Sequence, residues 1–171
     1  MSLLQKISAV TFAAGFALMA VQASAEPFQP PTGEVILTID GALAGDAPAG
    51  GYVLDMAALK ALPAIEYQTT TIWTEGMQVF TGVSLKKLLE AAGASGTMLE
   101  AEALNGYIVE IDLSTLEDDA PILAYQIGGK EFSRRDKGPL WIVYPYDREE
   151  RFKSELTYAN SVWQLQKLNV K

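Results

Sequence analysis

Hydrophobic and polar positions divide the chain into short elements of two kinds. Residues 35–39 are β-rich and end at Asp40-Gly41, which predicts a strand and a turn. Residues 42–51 are small and Gly/Pro-bearing and read as a surface loop. Met56, Leu59 and Leu62 recur at helical spacing behind Asp55, a natural N-cap, and Pro63 stops the helix. Residues 65–73 favour a strand, residues 74–76 a turn, and residues 78–81 extend again. The clearest helix covers residues 84–92. Ser84 caps it, Leu85, Leu88, Leu89 and Ala92 fall on one face, and Gly93 ends it. Asn105-Gly106 between residues 98–104 and 107–111 is a strong hairpin signal, because both residues tolerate positive φ. Residues 112–116 suit a single helical turn. A second hairpin is expected from residues 122–127 and 130–132 around Gly128-Gly129. Residues 140–144 form an unbroken apolar run, the profile of a strand covered on both faces, and residues 162–170 are expected to close the sheet. The sum is a single α+β domain with a mixed, mostly antiparallel sheet and short helices.

The first 33 residues stand apart. Lys6 precedes an apolar run over residues 7–21, and Ala23-Ser24-Ala25 matches a small-x-small cleavage pattern. The run falls short of the roughly 20 residues that cross a bilayer. Residues 1–25 therefore read as a signal peptide, the protein as periplasmic, and the cleaved product as having no membrane span. Residues 26–33 carry Pro27, Pro30 and Pro31 and read as an extended, poorly ordered lead-in to a domain over residues 34–170.

Composition narrows the chemistry. The 171 residues include no Cys and no His, so thiolate nucleophiles, disulfides, imidazole metal sites and a Ser-His-Asp triad are excluded. A formal charge of −8 argues against nucleic acid as a partner, since that binding needs a basic surface that releases phosphate counterions. Ser84-Leu85-Lys86-Lys87 fits S-x-x-K, a serine–lysine acyl-transfer pattern, but the companion S-D-N and K-T-G elements are absent and Ser84 is already explained as a cap. Glu117-Asp118-Asp119 and Asp147, Glu149 and Glu150 offer hard oxygens without the spacing of a cation loop and read as solvated turns. Arg134, Arg135 and Lys137 make the densest basic stretch, where a sheet end would present them to an anion. Trp73, Trp141, Tyr144, Tyr146 and Trp163 suit core packing and equally a stacking pocket.

Four motifs occur in a telling order. Phe80-Thr81-Gly82-Val83-Ser84-Leu85-Lys86-Lys87-Leu88-Leu89 resembles the W-x-G-v-x-L-x-x-L-L element of the sulfite-oxidase-like molybdopterin-binding domain. Leu123-Ala124-Tyr125-Gln126-Ile127-Gly128-Gly129-Lys130-Glu131-Phe132 resembles its lAy-x-x-N-G-x-x-L. Gly138-Pro139-Leu140-Trp141-Ile142-Val143-Tyr144-Pro145 is similar to its G-x-P-x-R-l-v-v-P, and Ser161-Val162-Trp163-Gln164-Leu165 to its closing v-K-W-l. The resemblance covers about residues 34–170 and implies that family's α+β fold. It also implies a molybdenum–pterin cofactor held by one Cys thiolate, with sulfite oxidation or sulfoxide reduction as the chemistry.

That chemistry does not carry over residue by residue. The family's Cys falls in the neighbourhood of residues 69–73, and the chain has none. Its Arg corresponds to Trp141 and its Lys to Val162, while its His has no counterpart, Lys137 being nearest. Bringing a dianionic phosphate into a cleft without those cations is costly, and Ser or Thr oxygen is a poor substitute for thiolate on molybdenum. The expectation is a cofactor-free binding or sensory module. Its vacated cleft would be lined by Trp73, Trp141 and Tyr144, with Arg134, Arg135 and Lys137 at the mouth. A small planar or weakly anionic molecule, or a periplasmic protein, would bind there. The alternative is an active molybdopterin oxidoreductase that ligates its metal through oxygen.

Overall fold

A computed structural model describes residues 27–45 and 47–171; the expected signal peptide lies outside the described residues. In chain order the elements are β1 (Leu37–Gly41), β2 (Tyr52–Leu54), α1 (Met56–Lys60), β3 (Ala64–Thr69), β4 (Gln78–Ser84) and α2 (Leu85–Ala91). There follow β5 (Met98–Ala103), β6 (Ile108–Asp112), β7 (Ile122–Ile127), β8 (Lys130–Glu131), β9 (Trp141–Val143), α3 (Glu155–Ala159) and β10 (Leu165–Val170). Single 3-10 turns occupy Leu113–Thr115 and Glu150–Lys153. No helix among the described residues is long and apolar enough to cross a membrane.

The expected mixed, mostly antiparallel pairing is distributed over two sheets. The first runs β2-β1-β10-β5-β6, and β1 with β10 is its one parallel pair. Residues 162–170 were expected to close a sheet, but β10 instead sits at its centre, between strands more than 60 residues away in sequence. The second sheet runs β3-β4-β7, with β8 and β9 sharing the far edge of β7, all antiparallel. An isolated bridge between Trp141 and Trp163 ties the sheets together. There Ile142 N–H donates to the Val162 carbonyl at 2.9 Å and Leu165 N–H to the Leu140 carbonyl at 3.0 Å.

Local chemistry sets the ends of these elements. Asp55 accepts from Ala58 N–H through one oxygen and from the N–H groups of Thr32 and Gly33 through the other, each at 2.8 Å. The lead-in is thereby docked, and Phe28 is buried edge-on against Tyr52 at 5.1 Å. The expected extended lead-in thus makes these contacts with the domain over its described residues, with the Phe28 ring as its apolar anchor. Ser84 accepts from Lys87 N–H at 3.1 Å, as an N-cap should. Gly128 and Gly129 at φ +55° and +75° make the tight turn between β7 and β8. The other hairpin differs from its expected form. Of Asn105 and Gly106 only the glycine has positive φ (+80°), and Asn105 instead accepts from Tyr107 N–H at 3.0 Å. Gly82 is required by close approach: a Cβ there would lie 2.3 Å from the Leu123 carbonyl oxygen on β7.

The core is continuous between the sheets. Leu99, Ala101 and Ala103 point inward from β5, and α2 contributes Leu85, Leu88 and Leu89. Every residue of β9 is buried, as the apolar run predicted.

Candidate functional site

The three tryptophans of the chain meet at the junction of the sheets. Trp73 packs edge-on against Trp141 (5.7 Å between ring centroids), Trp163 (5.6 Å), Tyr158 (5.8 Å) and Tyr146 (6.2 Å). Trp141 also takes edge contacts from Phe80 at 5.5 Å and Phe132 at 5.9 Å, and it is 0% exposed. Such contacts add to area burial because each ring's positive edge meets its neighbour's negative face. The position that the resemblance pairs with the family's arginine is thus packed with carbon.

Three devices hold this cluster. The first is Asp147, just beyond β9. It accepts from the backbone N–H and hydroxyl of Thr70, while its own N–H donates to the Thr69 hydroxyl at 3.1 Å. The Thr70 N–H, followed by the Thr70 hydroxyl, pulls its carboxyl below the ordinary value of 3.8. The loop where the resemblance places the family's Cys is therefore clamped by a carboxylate. Within that loop Thr71 accepts from Trp73 N–H at 3.0 Å, which orients the indole. The second device is Ser161. Its carbonyl accepts from the Trp141 indole N–H at 3.1 Å, its hydroxyl donates to the Thr157 carbonyl at 2.7 Å, and that hydroxyl therefore receives the Tyr146 proton. The third is Gln164, at φ +53° the one non-glycine with positive φ among the described residues. A conformation that costs roughly 1–3 kcal/mol is held by bonds from Gln164 N–H to the Lys137 carbonyl and from its side chain to the Arg134 carbonyl. It sets the angle at which Trp163 enters the cluster.

Beside the cluster opens a cavity of about 220 Å³. Trp73, Trp163, Tyr158 and Tyr107 supply its rings, and Asn105, Ala159 and Val162 complete most of the wall. The Tyr107 hydroxyl donates to the Ala159 carbonyl at 3.3 Å, joining the β5–β6 hairpin tip to the end of α3. No charged side chain is among the lining residues. Ile72, Met77, Leu104, Ile108 and Leu156, none of which lines the cavity, are each 41% exposed or more.

The residues expected to form the site divide. Trp73 and Trp141 are together, and only Trp73 reaches the cavity. Tyr144 is buried one ring further away, behind Tyr146 at 6.4 Å, and does not line it. Lys137 lies with its ammonium 5.6 Å from the Trp141 ring centroid. Arg134 is ion-paired with Glu34 and lines a separate cleft with Asp55 and Glu131, while Arg135 is exposed and outside the cavity wall. The expected basic mouth is therefore dispersed, because Glu34, a hundred residues earlier, draws Arg134 away. Tyr107, Tyr158 and Asn105 had no sequence signal: a hairpin tip and a helix fifty residues later meet only through the fold.

The titratable groups here do not suit proton transfer. Burial pushes Tyr144 up to about 12 and raises Tyr146 and Tyr67 well above the ordinary phenol value, so the phenols keep their protons at neutral pH. The acidic clusters are occupied by cations. Asp118 pairs with Lys86 at 2.7 Å and Lys87 at 3.2 Å, Asp119 with Arg148 at 3.0 Å, and Glu117 with Arg151. No group of three or more Asp or Glu among the described residues could hold a metal ion. In the S-x-x-K pattern the Lys87 ammonium pairs with Asp118 at 3.2 Å and Glu90 at 3.4 Å, and these carboxylates raise it, which favours its protonated form over a base for Ser84.

The donor set does not fit a molybdenum–pterin group. The chain has no thiolate or imidazole, the arginine position holds a buried indole, and the nearby cavity is smaller than the roughly 300–1,000 Å³ of drug-sized sites. A family model described as the oxidoreductase molybdopterin binding domain nevertheless matches residues 37–147, from the start of β1 to Asp147. No curated protein matches the chain.

Proposed function

We propose that this chain, which belongs to the oxidoreductase molybdopterin binding domain family, is an exported binding module that keeps the scaffold and holds no molybdenum. One observation carries the reading: Trp141, fully buried against Trp73, Phe80, Phe132 and Trp163, fills the place where the family sets a cation. A cofactor phosphate there would have to displace a Trp from the core, and no sulfur ligand would reward it. The aromatic cavity beside it is the receptor site, and its uncharged wall favours a ligand without net negative charge. Export rests on the leader of residues 1–25.

The test is protein taken from the periplasm of molybdate-fed cells. Molybdenum and pterin are measured on it, alongside native mass spectrometry. The expected result is background metal, a mature N-terminus at Glu26, and a mass adduct that dissociates on activation. Molybdenum at one per chain overturns the reading, and a chain retained in the cytoplasm overturns export.

A further inference from the structure

Resting on that reading, we infer that the cavity is an aromatic cage for a quaternary ammonium group, such as a trimethylammonium head. Three observations converge on this class of ligand.

The first is the angle between the walls. Trp73 meets Trp163 at 73° and Tyr158 at 90°. Rings at right angles form the corner of a box; a flat ligand needs two nearly parallel faces to slide between, and neither of these pairs provides them. A rounded, methylated cation presents the same surface to every wall. It is drawn to each ring face by the negative end of the quadrupole.

The second is charge. The cavity wall has no charged side chain, so nothing there repels a cation or attracts an anion. Lys137 lies over the ring of Trp141, which is not part of the wall. A formal charge of −8 over the chain gives the surrounding field the sign that concentrates cations.

The third is hydrogen bonding. A primary ammonium entering the cavity would need three acceptors to replace its water, and the amide, carbonyl and serine oxygens of the wall each accept a bond already. The Asn105 oxygen already accepts from Tyr107 N–H, the Ala159 carbonyl from the Tyr107 hydroxyl, and the Ser161 hydroxyl from Tyr146. A quaternary nitrogen has no N–H to satisfy, so it loses little on leaving water for such a wall. Its size also suits about 220 Å³ better than a drug-sized molecule would.

The experiment is a titration of the mature protein with choline and with its neutral carbon isostere, 3,3-dimethylbutan-1-ol, at matched ionic strength. Indole fluorescence and calorimetry give the readout, and molybdenum is measured on the same sample. All three tryptophans lie in the cluster, so emission reports on it directly. The expected result is saturable choline binding about tenfold tighter than the isostere. The binding should weaken severalfold in Tyr107→Ala, a variant of a 48%-exposed hairpin residue whose urea midpoint stays near wild type. Trp163→Leu should abolish it; if that variant fails to fold, Tyr107→Ala alone decides. Equal affinity for the two ligands, no saturation by choline, or choline binding untouched in Tyr107→Ala each overturns the cage. Those outcomes leave the metal-free reading standing, whereas stoichiometric molybdenum overturns that reading.

Discussion

Replacing Trp141 by Arg restores the residue that the family pattern places there, and the structure predicts that the protein will not tolerate it. The indole is 0% exposed, and a Trp side chain removes about 150–250 Å² from water. At ~25 cal/mol per Å² that burial is worth about 4–6 kcal/mol. The variant also strands the Ser161 carbonyl, which now accepts from the indole N–H at 3.1 Å, at a cost of about 1 kcal/mol. The arginine stem recovers some apolar contact, but its guanidinium would sit among Trp73, Phe80, Phe132 and Trp163 with no carboxylate partner, which adds a few kcal/mol. The net loss of about 4 kcal/mol or more is comparable to the whole stability of a domain this size, ~5–15 kcal/mol. Urea unfolding should be followed by far-ultraviolet circular dichroism, because the mutation removes one of the three fluorophores. The variant is expected to be unfolded in buffer or to melt at a much lower urea concentration. Trp141→Phe, which keeps a ring and loses only the N–H and part of the area, should fall between. A Trp141→Arg midpoint within about 1 kcal/mol of wild type would refute the argument, since it would mean that the cleft is open and wet around that position.

Two further outcomes follow from the clamp and the cap. The carboxyl of Asp147 is held below its ordinary 3.8 by Thr70, so its contribution is fully present above that value and is lost as pH falls through the lower folded one. The urea-midpoint gap between wild type and Asp147→Asn should be widest above about pH 5 and shrink toward pH 3; a gap that does not change with pH would show that the carboxylate charge is not what holds the Trp73 loop. Ser84→Ala should cost about 1 kcal/mol through loss of the bond to Lys87 N–H, and wild-type protein should show no covalent adduct with β-lactam or fluorophosphonate probes in mass spectrometry, an adduct at Ser84 being the contrary result.

What could be read from the chain was local, and what could not was long-range. Asp55 and Ser84 are recognisable as caps because the N–H groups that they bind lie three residues on. Gly128-Gly129 is recognisable because the backbone of the turn demands it. The partition into two sheets was hidden, since it depends on β10 running parallel to β1 across more than 120 residues and on the Trp141–Trp163 bridge. The rings of the site were identifiable by type, because Trp is scarce and any concentration of it must be buried or used. Their partners Tyr107 and Tyr158 were not, since neither lies in a motif. The basic mouth failed for the same reason in reverse: density along the sequence suggested a patch, and Glu34 removed Arg134 from it.

If the chain holds no molybdenum, as proposed, the aromatic cluster and the Asp147 clamp make sense as two halves of one replacement. A group that binds only the folded chain adds its binding free energy to stability, so a scaffold that gives it up must recover that energy from its own side chains or become less stable. On the metal-free reading proposed above, that recovery would come from two places. Trp141 fills it with buried apolar surface, and Asp147 tethers through Thr69 and Thr70 the loop that the resemblance would have tied to metal through sulfur. Either change alone would be inadequate: the indole without the clamp would have Trp73 on an untethered loop, and the clamp without the indole would leave a void at the sheet junction. Their presence together, with Gln164 held in a left-handed turn to aim Trp163 at the same point, is what a chain selected for a self-sufficient pocket would need.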